Sequence, residues 1–242
     1  MKPIISLRNV CKSYTRGKPE VCVLRDINLT VAEGEFVALM GPCGSGKTTL
    51  LNLIGALDGP TAGKIEVAGE RIDRLTGQRL ARWRSRNIGF VFQFHKLLPV
   101  LDVVHNVELP LLLTSLSRAQ RMTRVTAALA AVGLQERAHH QRSELSAGEA
   151  RRAAVAVALV ADPRLLVCDD PTRDLDRTCA DRIMSLLQRV NREQGKTIVM
   201  STRHPNAADY ANRTLYLSQG ELAPSADVSS LLSPIVRRAR AL

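Results

Sequence analysis

An α/β fold is predicted for this sequence: a mostly parallel central sheet, an antiparallel β subdomain at the N-terminus and a helical subdomain inserted mid-chain. Three observations carry the prediction. Short apolar runs that end at a glycine or a carboxylate alternate with longer amphipathic stretches, as buried strands alternate with connecting helices. Three β-rich runs, residues 4–10, 21–31 and 35–40, come first, separated by turn residues such as Arg16-Gly17 and Glu33-Gly34. From about residue 94 to 150 helical patterns take over.

The elements follow in order. In residues 21–31, Asp26, Asn28 and Thr30 alternate with apolar neighbours, the signature of a half-buried strand. Phe36 to Met40 is wholly apolar and runs into a glycine, as a buried strand feeding a loop does. Residues 48–57 read as a helix closed by Asp58-Gly59-Pro60. Helices are expected at 118–132, 150–160 and 176–194, with buried strands at 165–168 and 197–201. There is no internal repeat. Periodicity fades after Leu222, which divides the chain into a domain of residues 1–222, with the helical subdomain at about 94–150, and a basic tail of 223–242.

Composition narrows the class. A chain of 242 residues, 45% hydrophobic, can bury a substantial core. No apolar run approaches the roughly 20 residues that span a bilayer; the longest, residues 153–161, is half that. Arg8 interrupts the N-terminus before a signal-peptide core can form. A cytoplasmic protein is expected, with any membrane connection made through a partner. Five cysteines without a C-x-x-C pair indicate reduced thiols rather than disulfides or zinc. The net charge of +11 suits a nucleic acid, an anionic membrane surface or an arginine-rich solvated face. Stacking aromatics interleaved with the charge are absent, so no specific nucleic-acid partner is expected.

Gly41-Pro42-Cys43-Gly44-Ser45-Gly46-Lys47-Thr48 fits G-x-x-x-x-G-K-[ST] between a predicted strand and helix. Its glycines let backbone N–H groups curl around phosphate oxygens at a helix N-terminus, with Thr49 in the first turn. Lys47 would reach the β- and γ-phosphates of ATP, and the Thr48 hydroxyl would coordinate Mg²⁺. Residues 165–169, Leu-Leu-Val-Cys-Asp, end an apolar strand in a carboxylate; well downstream of a P-loop, Asp169 is the expected second Mg²⁺ partner.

With these motifs in place, residues 4–222 resemble the ABC ATPase family. Leu145-Ser146-Ala147-Gly148-Glu149 stands where that family carries its signature, usually L-S-G-G-Q. Gln93, after Phe90-Val91-Phe92, matches the glutamine that contacts Mg²⁺ and the transport domain; Tyr14 matches the aromatic that stacks on adenine; Leu175-Asp176 matches the end of the D-loop. Residues 97–101 and 106–110 look most like the lipoprotein-release and macrolide-export branch. The resemblance implies an ATP-hydrolysing subunit on the cytoplasmic face of the inner membrane, energising an integral-membrane permease. It implies a head-to-tail dimer, with itself or a sister ATPase, in which Ser146, Gly148 and Glu149 of one chain face the P-loop of the other.

The chain departs from the family pattern at the catalytic positions. Asp170 stands where a glutamate usually polarises the attacking water, and it is one methylene shorter. A misplacement of about 1 Å can cost on the order of 10²-fold in rate. Arg203 occupies the usual histidine position, with His204 one residue late; arginine can pair with a γ-phosphate but cannot relay a proton. Glu149 replaces a glutamine, Val157 an arginine and Arg173 a small residue. Together these imply retained ATP binding with slow hydrolysis, or a nucleotide-binding regulatory clamp as the alternative. Cys43 reads as a small filler of the loop.

Overall fold

The computed structural model describes residues 3–15, 20–93 and 97–223. Strands β1 (Pro3–Tyr14) and β2 (Val21–Ala32) pair antiparallel. β4 (Ala62–Val67) and β5 (Glu70–Arg71) extend that sheet to the order β2-β1-β4-β5. The third β-rich run, β3 (Phe36–Met40), belongs to the other sheet. There it pairs parallel with β8 (Thr197–Ser201) and β9 (Arg213–Ser218). β7 (Leu165–Asp169), β6 (Ile88–Val91) and an antiparallel edge strand, β10 (Glu221–Ala223), complete the order β10-β9-β3-β8-β7-β6.

The unbroken apolar runs of β3, β7 and β8 follow from burial on both faces. Phe36, Ala38, Met40, Leu166, Cys168, Ile198 and Met200 enter one core. Val37, Leu39, Leu165, Val167 and Val199 enter another, shared with the antiparallel sheet and helix α1 (Lys47–Ile54). The first core also holds the helical subdomain: α3 (Val103–Glu108), α4 (Arg118–Val132) and the start of α5 (Ala147–Leu159), with α6 (Arg177–Gln194) alongside. Ser117 and Ser146 open α4 and α5 with capping boxes to Gln120 and Glu149.

Several boundaries differ from expectation. α1 ends at Ile54 rather than residue 57, because Gly55 closes it. Helix α2 (Gly77–Asn87) was not expected: it is almost wholly polar, burying only Trp83, so Arg82 and Arg86 lie on a solvated face. β6 was hidden in the segment leading to Gln93. A short helix, α7 (Pro205–Ala208), follows β8. The basic tail with Arg237, Arg238 and Arg240, and the turn at Arg16-Gly17, lie outside the described residues. Among the described residues no helix is long and apolar enough to cross a membrane.

Candidate functional site

β3, β7 and β8 are neighbours, so the segments leaving their C-terminal ends converge, which is where parallel α/β sheets place their ligands. After β3 the chain turns at Gly41, where a Cβ would lie 2.0 Å from the Leu217 carbonyl oxygen. Gly46 caps α1 at φ 101°, with Leu24 and the Val23 carbonyl crowding any added Cβ. Only glycine fits both positions. Lys47 is 9% exposed. Its ammonium donates to the carbonyls of Gly41 (2.8 Å) and Pro42 (2.7 Å) and lies 3.3 Å from Ser45 Oγ. Burial draws its pKa down; Cys43, Asp170 and Asp169 oppose that.

Thr48 Oγ1 donates to Asp169 Oδ2 at 2.9 Å, bringing the two predicted metal partners together. The other Asp169 oxygen accepts from Ser201 Oγ at 2.5 Å. Asp170 is 6% exposed and left-handed at φ 45°, a conformation Asp tolerates better than most residues. Its N–H is held by Ser201 Oγ (3.0 Å) and the Ser201 carbonyl (3.1 Å). Asp170 Oδ2 lies 3.5 Å from Arg203 Nε, while its Oδ1 is buried without a hydrogen-bond partner. Arg203 Nη1 also donates to Cys43 Sγ at 3.4 Å, so this guanidinium bridges the P-loop and the carboxylate. Arg203 is raised in pKa, chiefly by that thiol and by Asp170.

These groups line one cavity of about 320 Å³, together with Gly44, Thr49, Gln93 and Arg173. The Gln93 amide, oriented by its hydrogen bonds, turns its oxygen to the Arg173 guanidinium, with Nε at 3.0 Å. Behind them Arg151, 3% exposed, donates to the carbonyls of Phe92 (2.8 Å), Gln93 (2.9 Å) and Arg173 (3.4 Å). Sequence reasoning missed Arg151 and Ser201. An arginine on the alanine- and valine-rich face of α5 was the available signal for the first; nothing in the sequence marked the second.

Other expected site residues lie elsewhere. Asp176 is not in the cavity: its carboxylate caps α6, accepting from the Cys179 N–H at 2.9 Å, as helix-opening Asp does. His204 is also absent from the lining; it is exposed in extended backbone at the N-cap of α7. Tyr14 is 39% exposed, its hydroxyl donating to Asp58 Oδ2 (2.7 Å) and Lys12 Nζ standing 4.7 Å from its ring centre. Ser146, Gly148 and Glu149 form the N-terminus of α5, outside this chain's own cavity. Glu149 accepts from the Ser146 N–H (2.9 Å) and hydroxyl (2.8 Å) and pairs with Arg137 (3.1 Å). Those Ser146 bonds hold the carboxyl below its usual range.

The oxygen donors of Thr48, Asp169 and Gln93 are hard ligands, a set that suits Mg²⁺. The glycine-shaped loop and its buried ammonium suit a phosphate chain.

Fold and site define a P-loop nucleotide-binding protein. The model of the ABC transporter family matches residues 24–173, and the chain belongs to that family. An uncharacterized ABC transporter ATP-binding protein, YvrO of Bacillus subtilis, is 45% identical over 90% of this chain and 95% of its own. The lipoprotein-releasing system ATP-binding protein LolD of Geobacter metallireducens is 43% identical over 92% and 99%. Among solved structures, the dimeric post-hydrolysis ATP-binding cassette MJ0796 of Methanocaldococcus jannaschii, bound to ADP and Pi, superposes with a TM-score of 0.85. It is 39% identical and covers 91% of this chain and 97% of that one.

Proposed function

We propose that this chain is the ATP-binding and ATP-hydrolysing subunit of an ABC transporter, energising a separate membrane permease through ATP-driven head-to-tail dimerisation. One observation carries the reading: Lys47, Thr48 and Asp169 meet around a single cavity at the C-terminal ends of the parallel strands β3 and β7, which flank β8. Within that cavity the P-loop and Lys47 bind and orient the phosphate chain. Thr48, Asp169 and Gln93 would hold Mg²⁺, which neutralises phosphate charge when bound. Asp170 Oδ1, buried and partnerless, is the acceptor available to orient a water toward the terminal phosphate. Arg203 stabilises charge on that phosphate. Ser146 and Gly148 would complete the site from the opposite chain, and Tyr14 would present the free face of its ring to adenine.

The permease would dock beside Gln93, where Leu98 is 45% and Val100 81% exposed next to the loop that senses the nucleotide. That contact would place the chain on the cytoplasmic face of the membrane. The lipoprotein-release relatives support a transport ATPase over a regulatory clamp.

Turnover is slow in this reading, for two structural reasons. Asp170 is shorter than glutamate, and its second oxygen faces Arg203 rather than a proton-relaying histidine. The test is steady-state MgATP hydrolysis by the purified chain beside an Asp170→Glu, Arg203→His double variant. The double variant is expected to turn over about 10–100-fold faster. Equal rates would sink the slow-hydrolysis reading and leave an ordinary motor.

A further inference from the structure

Arg173 lines the phosphate cavity, although its place in the family pattern is usually taken by a small residue. We propose that Arg173 is a third cation of the terminal-phosphate subsite, acting beside Lys47 and Arg203 and selective for a nucleoside triphosphate over a diphosphate. This rests on the reading of the cavity as a MgATP site.

The charged residues lining the cavity are Lys47, Arg173 and Arg203 against Asp169 and Asp170. Arg173 therefore turns an evenly balanced lining into one with a net positive charge. That charge favours the most anionic end of a nucleotide. The backbone of Arg173 is well placed: its carbonyl accepts from the buried Arg151 guanidinium, which also holds the carbonyls of Phe92 and Gln93. That anchor fixes the point from which the side chain reaches into the cavity.

Two of the contacts Arg173 makes are ones a phosphate can replace. Gln93 offers it a neutral amide oxygen. Asp174 lies 3.6 Å from its Nε but is 77% exposed, and such pairs contribute little. A phosphate offers a planar guanidinium two charge-assisted hydrogen bonds at once. Moving to phosphate would also release the Gln93 oxygen. A triphosphate bound in this cavity would therefore compete with Gln93 for the Arg173 guanidinium.

Calorimetric titration of the full chain with Mg-AMPPNP and with MgADP tests this, using the unaltered protein, Arg173→Ser and Arg173→Lys. Titrations are run at protein concentrations where light scattering reports monomer. Arg173→Ser is expected to weaken Mg-AMPPNP binding by about tenfold, equivalent to about 1.4 kcal/mol, and MgADP by less than about twofold. Arg173→Lys should recover part of the loss, since it restores charge without the planar fork. Equal losses for both nucleotides would make Arg173 a loop-packing residue, and no loss for either would remove it from the site; each overturns the proposal. A differential loss that appears only when dimers form would move Arg173 to the subunit contact and overturn it too. Failure of the unaltered chain to bind either nucleotide would instead sink the MgATP reading beneath it.

Discussion

Ser146 has one hydroxyl proton, and Glu149 holds it. The hydroxyl donates to Glu149 Oε2 at 2.8 Å while accepting from the Glu149 N–H at 3.2 Å. A phosphate approaching this helix start would meet a carboxylate kept ionised by those same bonds, only part-screened by Arg137. Glutamine at 149 keeps an oxygen for the cap and removes the charge. Glu149→Gln is therefore expected to strengthen MgATP-dependent dimerisation by about 3–10-fold, read by analytical ultracentrifugation across a nucleotide series. An unchanged dimer constant would mean the carboxylate lies beyond reach of the opposing phosphates. At this scale legibility depended on motif rigidity. Lys47, Thr48 and Asp169 were readable because strand, loop and helix fix their spacing. Asp176 and His204 lie outside this chain's own cavity; alignment gives a position and says nothing of which way a cap or an extended residue turns its side chain.

At the level of elements, α6 shows what a cap does when it is not a ligand. Asp176 opens this helix of 18 residues by binding the Cys179 N–H, and the helix sends Ile183, Met184, Leu186, Leu187 and Val190 into the core. Asp176→Ala removes an N-cap acceptor, so the melting temperature should drop by about 2–4 °C. MgADP affinity measured by titration should stay level, since Asp176 lies outside the cavity. A marked loss of affinity at unchanged melting temperature would return it to the ligand set. The strands and helices that sequence revealed were those with two-sided burial or strong periodicity, such as β3, β7, β8 and α6. Those it concealed lacked that signal. α2 buries only Trp83, β4 buries only Ile65 and Val67, and β5 is two residues long and buries neither. The chain that supplies Gln93 and the ring pair Phe90–Phe92, stacked at 5.1 Å, was given no element from sequence, although β6 runs into it.

The described residues form two cores on either face of one mostly parallel sheet, and the charge of the chain decides how it responds to acid. The alternation of β3 residues between the cores could be foreseen only as apolar continuity; which neighbour covers each face is a long-range fact. Carboxylates pin this architecture both locally, at Asp73, and between distant segments, at Asp58. Asp73 is held below its usual range chiefly by Arg71, at 2.5 Å, and by the Ile65 N–H, against the upward pull of burial. Desolvation is the largest influence on Asp58 and pulls it upward, but Lys12, Tyr14 and the Gly59 N–H together outweigh it and leave it lowered. A carboxylate lowered in the folded state stabilises above its unfolded value and loses that contribution as pH falls through the folded one. Stability should therefore stay level from pH 7 to about 5 and fall below about 4. Neutralising the 23 acidic residues also leaves 34 lysines and arginines unopposed, so self-repulsion steepens the fall. Asp73→Asn should be less stable than the unaltered chain at pH 7 and converge with it in acid, as pH falls through the lowered Asp73 carboxyl, as read from urea midpoints at each pH. A gap that persists undiminished in acid would show that Asp73 acts through its shape and hydrogen bonds rather than its charge, because only the ionised contribution can vanish on protonation.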